Sequence, residues 1–539
     1  MYVIFIIVLI CVQCSHGSQY VVQTKVGPIS GLKATDGDYI MYLGIPYARV
    51  NLTNPFGASL PQPKFETTYE ANDDSIVCPQ IDEFSKENFG SLDCLRLNIY
   101  VPNQASKKPL AVLVHFFGGY FRNGSSARRL YGAKFLVRHG LIVITFNYRL
   151  GPYGFFCLDT PEVPGNQGLK DQYEALKWIK KNIAAFGGDE NNITVLAHSA
   201  GAQAAEFHLL SKQPLMFDQV ILQSSSALYP QAFKPADYNL PIRIAKELGF
   251  NTNFTHKALQ FLAKSDTKSV IDGTRSIEFF GVCAEKEFPN VFRLVSEHPE
   301  FSEPNLEGLR IVAGFNNNEW LFGYYMDRFR RRFLSPEVFR ENLNIVFDLG
   351  PRLDEMEELV RHFYLGDKEV SESTVYIILD FLSDLDFLQP VQRSINKLHR
   401  RGATIYQYLF SYSGQRNWLK NWYSITEAGA THADELAYLF TSDLNKNVPT
   451  PEDQVVVDNF TKLWTNFAKF GEPTPDKVGG IPLKWRPITK DSIPYMNIDY
   501  NLTLSSRPYH DRIAFWELFY ILNEKHLRAN QWRPKRVAV

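Results

Sequence analysis

Several things are missing from this sequence. No block of one charge appears: 57 basic side chains meet 58 acidic ones, a formal net charge of −1. A nucleic-acid or membrane-surface binder needs a basic stripe, and the sequence has none. No segment reaches 18 apolar residues without charges, so none is long enough to cross a bilayer as a helix. There is no internal repeat and no Pro/Gly/Ser-rich linker to divide the chain. Cysteine is scarce, six in 539 residues, and a core of this size needs no disulfide or metal staple. What remains is the ordinary composition of a folded globular protein, 45% hydrophobic, 14% aromatic and 21% charged. That excludes disorder, collagen-like repeats and coiled coils.

The N-terminus carries an apolar run from Val3 to Val12, followed by the small residues Ser15 and Gly17. About ten residues fit the core of a signal peptide rather than a membrane span. The expectation is a signal peptide over 1–17 and one soluble, secreted, extracellular domain over 18–539, with no membrane anchor. Cleavage removes Cys11 and Cys14 and leaves Cys78, Cys94, Cys157 and Cys283. Cys78 and Cys94 flank a polar loop and are paired on that ground. Closing it is worth roughly 3 kcal/mol in the chain-entropy model. Cys157 and Cys283 sit in apolar contexts, where buried free thiols and a second bridge both fit. Of the Asn-x-Ser/Thr sequons, Asn51, Asn253 and Asn501 lie in loop-like sequence and are the better glycan acceptors. Asn192 directly precedes an apolar strand and is discounted.

Apolar runs alternate with helical patterns. Residues 109–115 and 140–146 are continuous runs rich in Val and Ile, the pattern of strands buried on both faces. Residues 168–185 have helical spacing, 193–197 form the next strand, and 200–210 a helix of small residues. Further strands are expected at 219–222, 309–313 and 403–409. Strand-helix alternation of this kind predicts an α/β fold with a mostly parallel sheet. The stretch from about 228 to 390 is more charged and mostly helical, as expected of an insertion over the sheet.

The most informative stretch is Ile193-Thr-Val-Leu-Ala-His-Ser-Ala-Gly201. A β-rich run meets a helix with only small residues around Ser199, the geometry of a nucleophile elbow. The positions two before and two after the serine have to be small, because strand and helix backbones nearly touch there. Gly201 meets this fully, and Ala197 departs from G-x-S-x-G by one methyl. The turn also sets Ser199 at a helix N-terminus, which favours developing negative charge.

On these residues and others the sequence resembles the carboxylesterase/cholinesterase family of α/β hydrolases. The resemblance covers nearly the whole mature chain. It includes Gly44-Ile-Pro-Tyr-Ala48, Asp93-Cys-Leu95, Asn147-Tyr-Arg-Leu-Gly151 and Gly165-Asn-Gln-Gly-Leu-Lys-Asp-Gln172. It continues through Phe186-Gly-Gly-Asp189, Gln223-Ser-Ser-Ser-Ala227, Trp464-Thr-Asn-Phe-Ala468 and Phe515-Trp-Glu517. It implies an α/β-hydrolase fold, a serine esterase activity, and no cofactor or metal. It also supports the Cys78–Cys94 pairing.

The resemblance implies the remaining machinery. Serine needs a base oriented by an acid, in the chain order Ser, Asp/Glu, His. Gly314-Phe-Asn-Asn-Asn-Glu319 looks like the family's acid loop and makes Glu319 the acid, with Trp320 where the family often has Gly. Gly429-Ala-Thr-His-Ala-Asp-Glu-Leu436 looks like the histidine loop and makes His432 the base. Val114-His-Phe-Phe-Gly-Gly-Tyr-Phe121 is similar to the H-G-G-x-F loop, so the N–H groups of Gly118, Gly119 and Ala200 are the expected oxyanion donors. Phe117 stands where the family usually has His, so a side-chain bond bracing that loop is expected to be missing. His198, where the family usually has Glu or Gln, is assigned a place in the pocket wall or in the layer behind it.

Cholinesterases hold the quaternary ammonium on a Trp inside the first disulfide loop. Between Cys78 and Cys94 this sequence has no Trp, only Phe84 and Phe89, which argues against choline esters. Phe116, Phe117, Tyr120, Phe121, Phe155, Phe156, Phe279 and Phe280 suggest a small-molecule ester with an apolar acyl or alcohol part. Two other readings are a juvenile-hormone-type esterase, which typically has Gln where His198 stands, and an esterase-like adhesion or binding protein without catalysis. The sequence does not fix the oligomeric state.

Overall fold

The six apolar runs that the sequence marks as strands lie parallel in the middle of an eleven-stranded sheet, joined there by a seventh parallel strand, Pro494–Ile498, that the sequence did not mark. The computed structural model describes residues 20–82, 86–445, 447–476 and 478–533. The expected signal peptide at 1–17 and Phe84 lie outside the described residues. In chain order the sheet strands are β1 Leu32–Lys33, β2 Tyr39–Pro46, β3 Arg96–Pro102, β4 Leu110–Phe116, β5 Ile142–Phe146 and β6 Gly188–His198. Then come β7 Gln219–Gln223, β8 Arg310–Asn316, β9 Thr404–Phe410, β10 Pro494–Ile498 and β11 Thr503–Ser506. Across the sheet the order is β11-β10-β9-β8-β7-β6-β4-β5-β3-β2-β1. The pairings β1–β2, β2–β3, β3–β5 and β10–β11 are antiparallel and close the two edges.

The inner strands read as unbroken apolar runs because helices cover both faces. Val112, Leu113 and Val114 of β4, and Ile142, Val143 and Ile144 of β5, are fully buried. The helices that matter for the site are α1 Gln167–Asn182, α2 Ala200–Leu210, α3 Val375–Ser383, α4 Gln389–Arg400, α5 Pro451–Phe470 and α6 His510–Leu522. Every residue of α2 is buried, which only Ala- and Gly-rich sequence permits so close to a sheet. A single wide turn, Asp384–Leu388, joins α3 to α4. α5 starts on a reciprocal cap, in which the Thr450 hydroxyl accepts from Asp453 N–H and the Asp453 carboxylate accepts from Thr450 N–H. Among the described residues, no helix is long and apolar enough to cross a membrane.

Two of the sequence motifs owe their form to one buried ion pair. Arg149, after β5, donates to both oxygens of Asp171 in α1 at 2.7 Å. It also donates to the carbonyls of Pro55 and Gly57. Both charged side chains are fully buried, so each needs the other. Cys78 is bonded to Cys94, and Cys157 to Cys283, which resolves the second pair as a bridge.

Sheet register brings the ends of five strands to one edge. Phe116 at the end of β4 is paired with Ala197, His198 at the end of β6 with Gln223, and Gln223 at the end of β7 with Gly314 of β8. Asn316, the last residue of β8, is paired with Phe410, the last of β9. The loops leaving these ends carry Gly118, Ser199, Glu319 and His432.

Candidate active site

Ser199 sits between β6 and α2 with φ +56° and ψ −128°, a conformation that L-residues seldom adopt. Its N–H donates to Gln223 O at 2.9 Å, which anchors the turn to β7. A Cβ on Gly201 would lie 2.1 Å from Phe116 O, so glycine is required there. Ala197 is fully buried and its methyl is accommodated.

Ser199, His432 and Glu319 meet at the sheet edge. His432 Nε2 is 2.8 Å from Ser199 Oγ, and His432 Nδ1 is 2.7 Å from Glu319 Oε2. The carboxylate at Nδ1 selects the tautomer with its proton there, leaving Nε2 to accept from the serine hydroxyl. Glu319 is fully buried and its second oxygen accepts from Asn316 N–H at 2.8 Å. The acid and histidine loops are laced together. His432 N–H and the Thr431 hydroxyl both donate to Glu319 O, and Ala430 N–H donates to Asn317 Oδ1. Phe322 stacks on the His432 ring at 5.8 Å and Phe387 packs on it at 5.0 Å.

Gly118 and Gly119 follow β4 and line the same cavity as the serine. A Cβ on Gly118 would meet Ser199 Cβ at 2.7 Å, and one on Gly119, at φ +113°, would meet Asn123 O at 2.1 Å. The N–H groups of Gly118, Gly119 and Ala200 donate to no described protein group. Three free N–H groups around a hydroxyl can hold an oxyanion. The loop is braced despite the lack of a histidine: the Phe117 ring stacks on Tyr148 at 4.4 Å, and the Tyr148 hydroxyl donates to Phe117 O at 2.7 Å.

Above the serine lies a cavity of about 220 Å³, with Phe89, Tyr120, Tyr131, Phe322, Met326 and Trp418 in its wall beside Ser199 and His432. Of the eight rings that the sequence suggested for this wall, Tyr120 alone lines it. Phe116, Phe117, Phe121, Phe155, Phe156 and Phe280 are buried in the core, and Phe279 packs against Tyr120 at 5.1 Å. Aromatic runs next to a strand end fill the core before they reach a cavity. Rings from distant loops supply the wall instead.

Sequence reasoning passed over Asn316 and Glu435. The Asn316 amide donates to Thr431 O at 2.7 Å and to Glu435 Oε2 at 2.6 Å. Glu435 also accepts from Gln223 Nε2 at 3.1 Å. Burial, reinforced by the charge of Glu319, pushes the Glu435 carboxyl up to about 8. Burial likewise raises Asp434 to about 7. The one signal in the sequence was the run of three Asn ahead of Glu319, short amides where a strand end has to be tied to another loop. His198 lines the cavity, as expected.

Comparison with known proteins gives the family and the fold. The model of the Carboxylesterase family matches residues 18–516. Bile salt-activated lipase of Rattus norvegicus is 29% identical over 93% of this chain and 85% of its own. Esterase B1 of Culex pipiens is 28% identical over 93% and 98%. Juvenile hormone esterase of Tribolium castaneum is 27% identical over 86% of each chain. The crystal structure of juvenile hormone esterase from Manduca sexta, with OTFP covalently attached, superposes with a TM-score of 0.81. It is 25% identical and is covered over 99% of its length by 93% of this chain. The fold is the α/β-hydrolase fold, and the chain belongs to the carboxylesterase family of carboxylic ester hydrolases.

Proposed function

We propose that the chain is a secreted serine esterase that cleaves apolar carboxylic esters through an acyl-enzyme. Ser199 Oγ attacks the ester carbonyl while His432 Nε2 takes its proton. Glu319 stabilises the imidazolium that results. The N–H groups of Gly118, Gly119 and Ala200 hold the oxyanion, each worth about 10²–10³ in rate. The imidazolium returns its proton to the leaving alcohol. Water then enters, gives a proton to His432 and attacks the acyl group, and Ser199 is regenerated.

The observation that carries this reading is the unbroken relay of 2.8 Å and 2.7 Å from Ser199 through His432 to Glu319. Burying a carboxylate and an imidazole together is costly, and a pure binding scaffold has no use for that cost. The aromatic cavity wall supports an apolar ester. Secretion is supported by the apolar run at 3–12, the two disulfides, and the exposure of Asn253 and Asn501 as glycan acceptors. Asn51 is half-buried, with its amide oxygen accepting from Thr53, and is the weaker acceptor of the three.

The test is a panel of 4-nitrophenyl esters of increasing acyl length, with enzyme recovered from the medium of a secretory host. Turnover that rises from acetate to medium-chain acyl groups is expected. No turnover of any ester by a folded chain would overturn the reading.

A further inference from the structure

The residue ahead of the nucleophile takes no part in the acyl-transfer steps, yet it is built into the same wall. His198 ends β6, is buried, and lines the cavity next to Ser199. Its ring centre is 4.7 Å from that of His432. Nε2 is turned inward, 3.5 Å from Glu435 Oε1, and is buried with no other partner. Nδ1 makes no hydrogen bond to a described residue and is the ring nitrogen left to the cavity. The side chains hydrogen-bonded to the Glu435 carboxyl, through Gln223 Nε2 and Asn316 Nδ2, are donors. His198 Nε2 is therefore the group there suited to accept.

The titratable groups around the pair are Glu319 and Asp434 beside Glu435, His432 and His115 beside His198, and the buried Tyr408 hydroxyl of β9. Burial and these two imidazoles hold His198 well below the usual histidine range. Glu435 keeps its proton to about 8. At neutral pH both partners are uncharged, and the carboxyl proton faces Nε2 across 3.5 Å. A neutral imidazole that accepts at Nε2 carries its own proton on Nδ1. The 3.5 Å separation is long for such a bond, and bonds of this kind tighten when a site fills.

We infer that His198 is a specificity-determining residue, held by Glu435 so that its Nδ1–H is a donor in the cavity wall. The site then favours esters with an ether or carbonyl oxygen near the scissile group over their hydrocarbon counterparts. The inference rests on the serine-esterase reading above. It carries a pH signature. When Glu435 loses its proton to solvent, its carboxylate favours a proton on Nε2, and Nδ1 becomes an acceptor. The preference falls as pH rises through about 8.

The experiment compares two matched pairs, 4-nitrophenyl methoxyacetate with butanoate, and 2-methoxyethyl with butyl acetate. Each kcat/KM ratio is divided by the ratio of hydroxide-catalysed rates, so intrinsic reactivity and any general loss of rate cancel. For the wild type at pH 7, one pair is expected to favour the oxygen-bearing ester about threefold to tenfold, the worth of one neutral hydrogen bond. That ratio is expected to decline towards one by pH 9.5. His198→Phe brings it to one at both pH values, and His198→Gln, with a donor that does not titrate, keeps it at both. A wild-type ratio of one in both pairs overturns the inference, as does a ratio that survives His198→Phe. Where one variant fails to fold, the other and the wild-type pH profile still decide. Failure of the wild type to hydrolyse either hydrocarbon ester is a separate outcome, which overturns the esterase reading itself.

Discussion

His432 Nε2 lies 2.8 Å from Ser199 Oγ although 233 positions separate them in the chain. The contact exists because β6, β7, β8 and β9 run parallel in register, so their loops emerge at one edge. Glu319 completes the relay from the loop after β8. In the proposed mechanism its part is electrostatic, and an isosteric amide tests it. Glu319→Gln keeps a partner at His432 Nδ1 but removes the charge. The expected loss in kcat is roughly 10³–10⁴-fold with little change in KM. Steady-state kinetics on a nitrophenyl ester checks this, and a loss under tenfold would contradict it.

Gly118 has no room for a side chain. Gly118→Ala drives a methyl against Ser199 Cβ, 2.7 Å away, and displaces the backbone of a proposed oxyanion donor. A fall in kcat of about 10²–10³-fold is expected, with the circular dichroism spectrum unchanged. Retained turnover would mean that the oxyanion is held elsewhere.

Glu435 makes stability depend on pH. Its folded value is about 8 against an ordinary 4.5, so the folded state holds the proton more tightly than the unfolded chain. That contribution is fully present below about pH 4.5 and is lost as pH rises through about 8. The whole span is worth up to about 5 kcal/mol. Glu435→Gln does not titrate and still offers an oxygen to the amides of Gln223 and Asn316. The variant is expected to gain on the wild type in urea unfolding between pH 5 and pH 9. A constant difference across that range would refute the shift.

The two disulfides close loops of very different size, with sequence separations of 16 and 126. Chain entropy gives about 3 kcal/mol for Cys78–Cys94 and about 5 kcal/mol for Cys157–Cys283. Replacing each pair with Ser is expected to lower Tm more for the second pair. The reverse order in thermal unfolding would contradict the loop-closure account.

Much of this was legible in the sequence. The runs at 109–115 and 140–146 read as buried strands because packing on both faces removes the alternation of a half-exposed strand. The helix at Ala200–Leu210 was marked by its small residues, and Ser199 by the same residues. The antiparallel strands β1 and β11 were not legible, being short and exposed at every residue, with no pattern to set them apart from loops. The pairing of Cys157 with Cys283 stayed open because local apolar context does not say which distant segment lies opposite. Phe116 and Phe155 looked like cavity wall and proved to be core, since composition cannot tell which face of a buried segment meets empty space. Asn316 and Glu435 were missed for a related reason. Their partners, Thr431 in the long connection after β9 and Gln223 at the end of β7, are distant in sequence, and only the folded sheet brings them together.

The most direct test of the account is covalent labelling of the intact chain with a fluorophosphonate, with the adduct mapped by mass spectrometry. The account expects one phosphonyl group per chain, on Ser199, formed in step with loss of esterase activity and absent in Ser199→Ala. An adduct on another residue, or full activity in Ser199→Ala, would contradict it.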